Sequence, residues 1–226
     1  MGRIDEIDFF RGIAVILMVI FHIVFDLNFY LGLPVSFSSG FWFYEGKTSA
    51  LMFIFLAGIS VNLSKNALLR SIKIFSLGML ITFITYLIDK SMYVKFGILH
   101  FIGLSYLFSY FFKKKDVPFL VATAFLSILM GIYFNSIFVG YKFLFPLGLI
   151  YRDFSSLDYY PIFPYFGVFL FGVALYKTFY AEGKRFLNKN AKQNIINFIG
   201  KKSLVIYLIH QPVIIGILFL YKYLFN

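Results

Sequence analysis

Seven stretches of this chain, at about residues 12 to 33, 48 to 64, 68 to 88, 96 to 112, 117 to 135, 162 to 180 and 203 to 224, are apolar over most of their length. A helix needs about 20 such residues to cross the roughly 30 Å hydrocarbon core of a bilayer. Backbone N–H and C=O groups in lipid must be satisfied within the segment, so a chain of this pattern folds as helices. The predicted fold class is all-α: a polytopic transmembrane helix bundle of about seven spans, with residues 1 to 226 forming a single membrane domain. Composition agrees, because 61% hydrophobic and 14% charged residues lie outside the balance of a soluble domain. A charged start before an apolar run also resembles a leader peptide, but no small-residue cleavage site follows, and the segment reads as span one.

The net charge of +11 does not point to nucleic acid, since the basic residues form short clusters between spans and no soluble basic domain exists to hold a duplex. Their distribution reads as topology. Arg3, Arg11, Lys65, Arg70, Lys73, Lys113 to Lys115, Lys177, Lys184, Arg185, Lys189, Lys192, Lys201 and Lys202 fall on one side, 15 of the 21 Lys and Arg in the chain. The positive-inside rule predicts a multi-pass cell-membrane protein with its N-terminus cytoplasmic and its C-terminus extracytoplasmic. Residues 136 to 160 are too interrupted for a span and read as an outer loop packed on the membrane face. Ala181 to Lys202 reads as a basic cytoplasmic stretch with a short amphipathic helix on anionic lipid.

Ionisable groups inside spans are costly and mark function. In span one, Asp8, Arg11, Val15, Met18, His22 and Asp26 are spaced by three or four residues and so share one face of a helix. Asp26 lies one turn beyond His22, where a carboxylate can fix the imidazole's tautomer and stabilise an imidazolium. This is the pattern of a base with its orienting group; the bland alternative is a polar pair that glues helices together. Arg11 lies lower on the same stripe, and with Lys65, Arg70 and Lys73 it suits the phosphates of a long anionic ligand whose reactive end reaches the buried base.

Cysteine is absent, which excludes thiolate nucleophiles and thiolate metal sites. His22, His100 and His210 all sit in spans, but their motifs lack the paired spacing of metal-binding helices, so hydrogen bonding is expected of His100 and His210 rather than metal ligation. Pro212 is expected to distort its span and free a carbonyl that a side chain satisfies. Ala57, Gly58 and Ser60 allow close helix approach. Asp153, Asp158, Tyr159 and Tyr160, just before Pro161, carry carboxylates and rings suited to a sugar or an amine, with interfacial anchoring as the alternative.

Ile7–His22, Phe53–Ser60, Gly97–Gly103, Asp158–Gly167 and Ile199–Pro212 together resemble the prokaryotic relatives of heparan-α-glucosaminide N-acetyltransferase. More loosely, Arg11-Gly12 and His22 are similar in spacing to a motif of the acyltransferase-3 membrane acyltransferases. The resemblance implies a transmembrane acyltransferase that takes an acyl group from cytoplasmic acyl-CoA, acetyl-CoA in the first instance, and passes it to a hydroxyl or amine, of a sugar above all, at the other side. By position the resemblance carries over Arg11 and His22; the reading of the residues themselves adds Asp26 as partner of the base, Lys65, Arg70 and Lys73 as donor contacts beside Arg11, and Asp153, Asp158, Tyr160, His100 and His210 toward the acceptor. The chain has His22 where the lysosomal enzyme has Asn, and residues 31 to 50 contain no His. Expected partners are the bilayer, acyl-CoA and a glycan or other small acceptor, with a homodimer allowed and no metal ion. The alternative reading is a proton-coupled transporter with His22 and Asp26 as its relay.

Overall fold

The computed structural model describes residues 4 to 187 and 194 to 225. The chain folds into α1 (Asp5–Leu31), α2 (Gly40–Val61), α3 (Ala67–Ile88), α4 (Ile98–Phe112), α5 (Val117–Phe134), α6 (Ile162–Leu175), α7 (Ile195–Lys201) and α8 (Ser203–Phe225), with a 3-10 turn at Lys142–Leu147 and a wider helical turn continuing α6 over Tyr176–Tyr180. Among the described residues it contains no β-strand, only isolated bridges at Phe96 with Tyr159 and Phe138 with Ile150. It is an all-α polytopic membrane protein.

Each predicted span has its helix. Five are long and apolar enough to cross a membrane: α1, α3, α5, α6 with its continuation to Tyr180, and α8. Of the remaining two, α4 is a shorter apolar helix of 15 residues, and α2 carries Glu45 and Lys47 near its start, which dilute its apolar character.

The helices group into two compact units. A middle unit comprises Ile54–Lys184, and a terminal unit comprises Gly2–Phe53 with Arg185–Asn226. In the middle unit α3 packs on α4, α5 on α6, and α4 on α6. Glycines set the closest approaches: a Cβ on Gly58 would lie 2.0 Å from the Phe169 carbonyl oxygen and one on Gly172 2.1 Å from that of Phe55. The small-residue motif at Ala57 to Ser60 is therefore a packing seam, as its sequence implies.

The terminal unit is built on α1, against which α7 and α8 pack. Asp5, Glu6 and Asp8 in its first turn complement the helix dipole. Its last turn closes on Gly32, at φ +67°, whose N–H meets the Asn28 and Leu27 carbonyls. Along the predicted stripe Asp8, Val15, Met18 and Asp26 are buried, Arg11 and His22 are half-buried, and Ile16, Ile20 and Ile23 on other faces are exposed.

The two segments read as loops between spans are held by specific contacts. A short helix does form in the basic stretch, but its small and polar face lies on α1 rather than free on lipid: a Cβ at Gly200 would lie 1.7 Å from the Asp8 carbonyl oxygen, and Asn197 Nδ2 donates to the Asp5 carbonyl at 2.8 Å. Exposed Ile195 and Phe198 leave the opposite face apolar. Lys189 and Lys192 of that stretch, like Arg3, lie outside the described residues. The loop at 136 to 160 is tied to residues 93 to 98 through backbone and side chain: Leu157 N donates to Tyr93 O, Tyr160 N to Phe96 O, and Ile98 N to Asp158 Oδ2.

Candidate functional site

The terminal unit gathers polar side chains inside two membrane helices. His22 and Asp26, one turn apart on α1, meet His210 and Gln211, adjacent on α8. The His22 and His210 rings stand 4.7 Å apart between centroids, tilted by 59°. Gln211 Nε2 donates to both oxygens of Asp26, at 2.9 and 3.0 Å. The two helices are thus joined by two polar rungs, one aromatic and one hydrogen-bonded.

Asp26 does not play the part expected of it. Its carboxylate is held by Gln211, and no hydrogen bond joins it to His22 among the described residues. The physical reason is competition: a side-chain amide from the facing helix reaches the carboxylate in good geometry. His22 Nδ1, His210 Nε2 and Gln211 Oε1 are buried and have no hydrogen-bond partner among the described residues. Three polar atoms left so in a low-dielectric setting are each costly, and native structures keep few of them.

His210 Nδ1 lies 2.7 Å from the Tyr207 carbonyl oxygen. A carbonyl only accepts, so this nitrogen carries a proton and Nε2 of the neutral ring carries the lone pair. Pro212 lies inside α8, which runs as one helix over Ser203–Phe225; it cannot donate to the Leu208 carbonyl, and the His210 contact is to the neighbouring Tyr207 carbonyl rather than to the one that Pro212 frees. Glu45, in the first half of α2, adds a carboxylate whose two oxygens are buried and without a partner among the described residues. The next residue, Gly46, lies on Phe21 of α1, where a Cβ would meet the ring at 2.5 Å.

At the other end of the stripe, Arg11 Nη1 forms an ion pair with Asp8 Oδ1 at 3.0 Å, the carboxylate being fully buried and the guanidinium largely so. Lys201 approaches Asp5 at 3.7 Å, and Glu6 accepts from Leu187 N. Arg11 therefore sits beside a carboxylate rather than in the purely basic surroundings that a reading of Lys and Arg alone suggests. Lys65, Arg70 and Lys73 belong to the middle unit, where the Arg70 guanidinium lies 5.3 Å over the Tyr106 ring.

Of the residues assigned to the acceptor, His210 lies in the terminal unit, and the others divide into separate settings in the middle unit. His100 accepts from Gly97 N on Nδ1 at 3.1 Å and stands 3.2 Å from Thr82 Oγ1 through Nε2. Thr82 donates to the Val94 carbonyl, so it accepts from His100, and both ring nitrogens are occupied by the fold. Asp158 caps the start of α4 through Ile98 N. Burial, then the negative charge of Asp158, pushes the Tyr160 phenol well above its usual pKa. Asp153 is exposed and lines an open cleft of about 310 Å³ with Phe138, Lys142, Tyr151 and Arg152. Nearby, Lys95 Nζ lies 5.0 to 5.8 Å over the rings of Tyr93, Tyr151 and Phe154.

Reasoning from spacing missed Gln211, Glu45 and the Asp8 partner of Arg11. Each carried a signal: Gln211 is a strongly polar residue inside an apolar run, Glu45 an acid just inside a helix start, and Asp8 lies three residues before Arg11. Among the described residues no group of three or more His, Cys, Asp or Glu side chains is placed to hold a metal ion.

No curated protein and no solved structure matches the chain. A family model does, that of the heparan-alpha-glucosaminide N-acetyltransferase catalytic domain, over residues 3–212. This match runs from the start of α1 through the His210-Gln211-Pro212 segment of α8. The chain belongs to the heparan-alpha-glucosaminide N-acetyltransferase catalytic family, a family of membrane acetyltransferases.

Proposed function

We propose that the whole chain acts as one acyltransferase domain, moving an acetyl group from cytoplasmic acetyl-CoA to a hydroxyl or amine, of a sugar above all, on the extracytoplasmic side. The observation that carries this reading is the meeting of His22, Asp26, His210 and Gln211 inside α1 and α8, in a chain of a membrane acetyltransferase family. Ionisable groups held within membrane helices mark sites of chemistry or transport, and the family membership supports chemistry.

His22 is the general base in this proposal. It takes the proton of the acceptor as the acceptor's oxygen or nitrogen attacks the thioester carbonyl, and the coenzyme leaves as the thiol after protonation of its sulfur. Direct transfer is the simplest path for a chain without Cys. Asp26 contributes through Gln211, whose amide it orients. Arg11 is assigned to a donor phosphate, and Lys65, Arg70 and Lys73 form a second, basic set assigned to the same role. Asp153 and Tyr160 are assigned to the acceptor. The charge asymmetry of the loops supports a cytoplasmic N-terminus.

The test is single-turnover transfer from radiolabelled acetyl-CoA to glucosamine by the purified full chain in detergent. Wild type should transfer label, and His22→Ala should lose about 10² to 10⁴ in rate while keeping its thermal stability and its affinity for coenzyme A. Near wild-type turnover in a folded His22→Ala protein would falsify the assignment of the base.

A further inference from the structure

The buried ring nitrogens on α1 and α8 have a use that a single base does not explain. A lone general base needs one lone pair and one partner to hold its tautomer. His22 Nδ1 has no such partner among the described residues. What it has instead is the His210 ring at 4.7 Å.

His210 is prepared to receive a proton. Its Nδ1–H is fixed on the Tyr207 carbonyl at 2.7 Å, which leaves the lone pair on Nε2, buried and without a partner among the described residues. A proton arriving at Nε2 makes an imidazolium whose other N–H already meets a carbonyl oxygen, a contact that strengthens as the ring becomes charged. Simple helix-to-helix adhesion does not account for this arrangement. That task is done by the neighbouring rung, where Gln211 engages both oxygens of Asp26. Two histidines used as glue would be expected to spend their ring nitrogens on hydrogen bonds, as His100 does.

We infer that His210 is the proton-relay partner of His22: the base of the transfer is a two-histidine unit spanning α1 and α8. This rests on the acyltransferase reading above. In the step, His22 takes the acceptor's proton on Nε2 and passes the proton of its Nδ1 to His210 Nε2, directly or through one water. The new bond joins acyl carbon to the acceptor, the bond that breaks is carbon to sulfur, and the proton returns through the same two rings to the coenzyme thiolate. Atoms and charge balance without any further reactant. The titratable groups on the same three helices in this part of the terminal unit are Asp26 and Tyr30 on α1, Glu45 on α2 and Tyr207 on α8. His210 acts here through His22, as a positioning and relay residue.

The experiment is a proton inventory: single-turnover transfer from acetyl-CoA in mixtures of light and heavy water, with glucosamine, galactosamine and glycerol each tried as acceptor. Wild type should give a curved dependence on deuterium fraction, reporting two protons in motion. His210→Gln, which keeps hydrogen-bonding capacity but cannot carry the proton, should give a straight line and a rate lower by about 10²-fold, with unchanged melting temperature and coenzyme A affinity. A straight line for wild type overturns the relay, as does a His210→Gln protein with wild-type rate and curvature. Should His210→Gln fail to fold, the wild-type curve and His210→Asn decide. Loss of transfer in His22→Ala beside ordinary behaviour of His210→Gln removes the relay and leaves the acyltransferase reading standing. Absence of transfer by wild type to all three acceptors overturns both.

Discussion

Gln211 donates from one nitrogen to both carboxylate oxygens of Asp26, at 2.9 and 3.0 Å, and so links α8 to α1 within the membrane-spanning part of the chain. Asp26 is fully buried, and a buried carboxylate stripped of its donor is left unsatisfied. Gln211→Leu should therefore lower stability by about 1 to 2 kcal/mol, in the range seen for polar contacts between membrane helices. Asp26→Asn, which keeps an acceptor, should cost less. A double-mutant cycle with Asp26→Leu, read from thermal unfolding in detergent, should show the paired variant losing less than the two singles added together. Strict additivity would mean that the rung contributes nothing.

His100 illustrates what the sequence could and could not disclose. Its place in an apolar span was legible, and so was the start of its helix at Gly97. Its partners were not, because Gly97 N, Thr82 and Val94 are brought to it by the packing of α3 on α4. The helix boundaries were readable for a different reason: hydropathy is summed over some 20 residues, so a local error changes little. Side-chain pairing has no such averaging. The His22 and Asp26 spacing correctly put both groups on one face of α1, yet the carboxylate went to Gln211 because periodicity within one helix says nothing of the facing helix. The stripe from Asp8 to Asp26 was legible as geometry, whereas the pairing of Arg11 with Asp8 depends on side-chain conformation that spacing does not contain.

With both ring nitrogens occupied by the fold, His100 should matter for stability rather than for turnover. His100→Ala removes the acceptor of the Gly97 N–H and one of the two hydrogen bonds of the Thr82 hydroxyl, and the start of α4 should loosen. We expect a clear fall in melting temperature, with acetyl transfer per folded molecule within a few-fold of wild type. A loss of 10²-fold or more at unchanged stability would instead place His100 among the reacting groups.

Asp89, at the end of α3 and outside the membrane helices, accepts from Ser91 N, Ser91 Oγ and Met92 N. The Ser91 hydroxyl first, then the backbone donors, hold its carboxyl below the usual carboxylate range. A depressed folded-state pKa stabilises the fold at pH values above the unfolded value, near 3.9, and that contribution disappears as pH falls through the lower, folded value. Asp89→Asn should flatten the acid limb of the stability profile below about pH 4, with little effect at neutral pH. A melting temperature followed against pH checks this. An identical acid limb in the two proteins would show that the loop opens before the carboxylate is protonated.

The pairing of Arg11 with Asp8 allows a structural role and a donor-binding role to be separated. Removing the guanidinium takes from the fully buried Asp8 carboxylate its ion-pair partner at 3.0 Å, and breaking a buried ion pair is destabilising. Arg11→Ala should therefore destabilise the protein whether or not Arg11 meets a phosphate, and this variant alone decides nothing about the ligand. Asp8→Asn is the informative change, because it keeps the shape of the side chain while removing the charge that competes with a phosphate for the guanidinium. If Arg11 contacts the donor, Asp8→Asn should bind coenzyme A several-fold more tightly than wild type, and Arg11→Lys should bind it more weakly because a point ammonium lacks the planar fork. Calorimetric titration of coenzyme A into each folded variant measures both effects. Equal affinity across wild type, Asp8→Asn and Arg11→Lys would confine Arg11 to holding the first turns of α1, and the phosphates would then fall to the basic residues Lys65, Arg70 and Lys73.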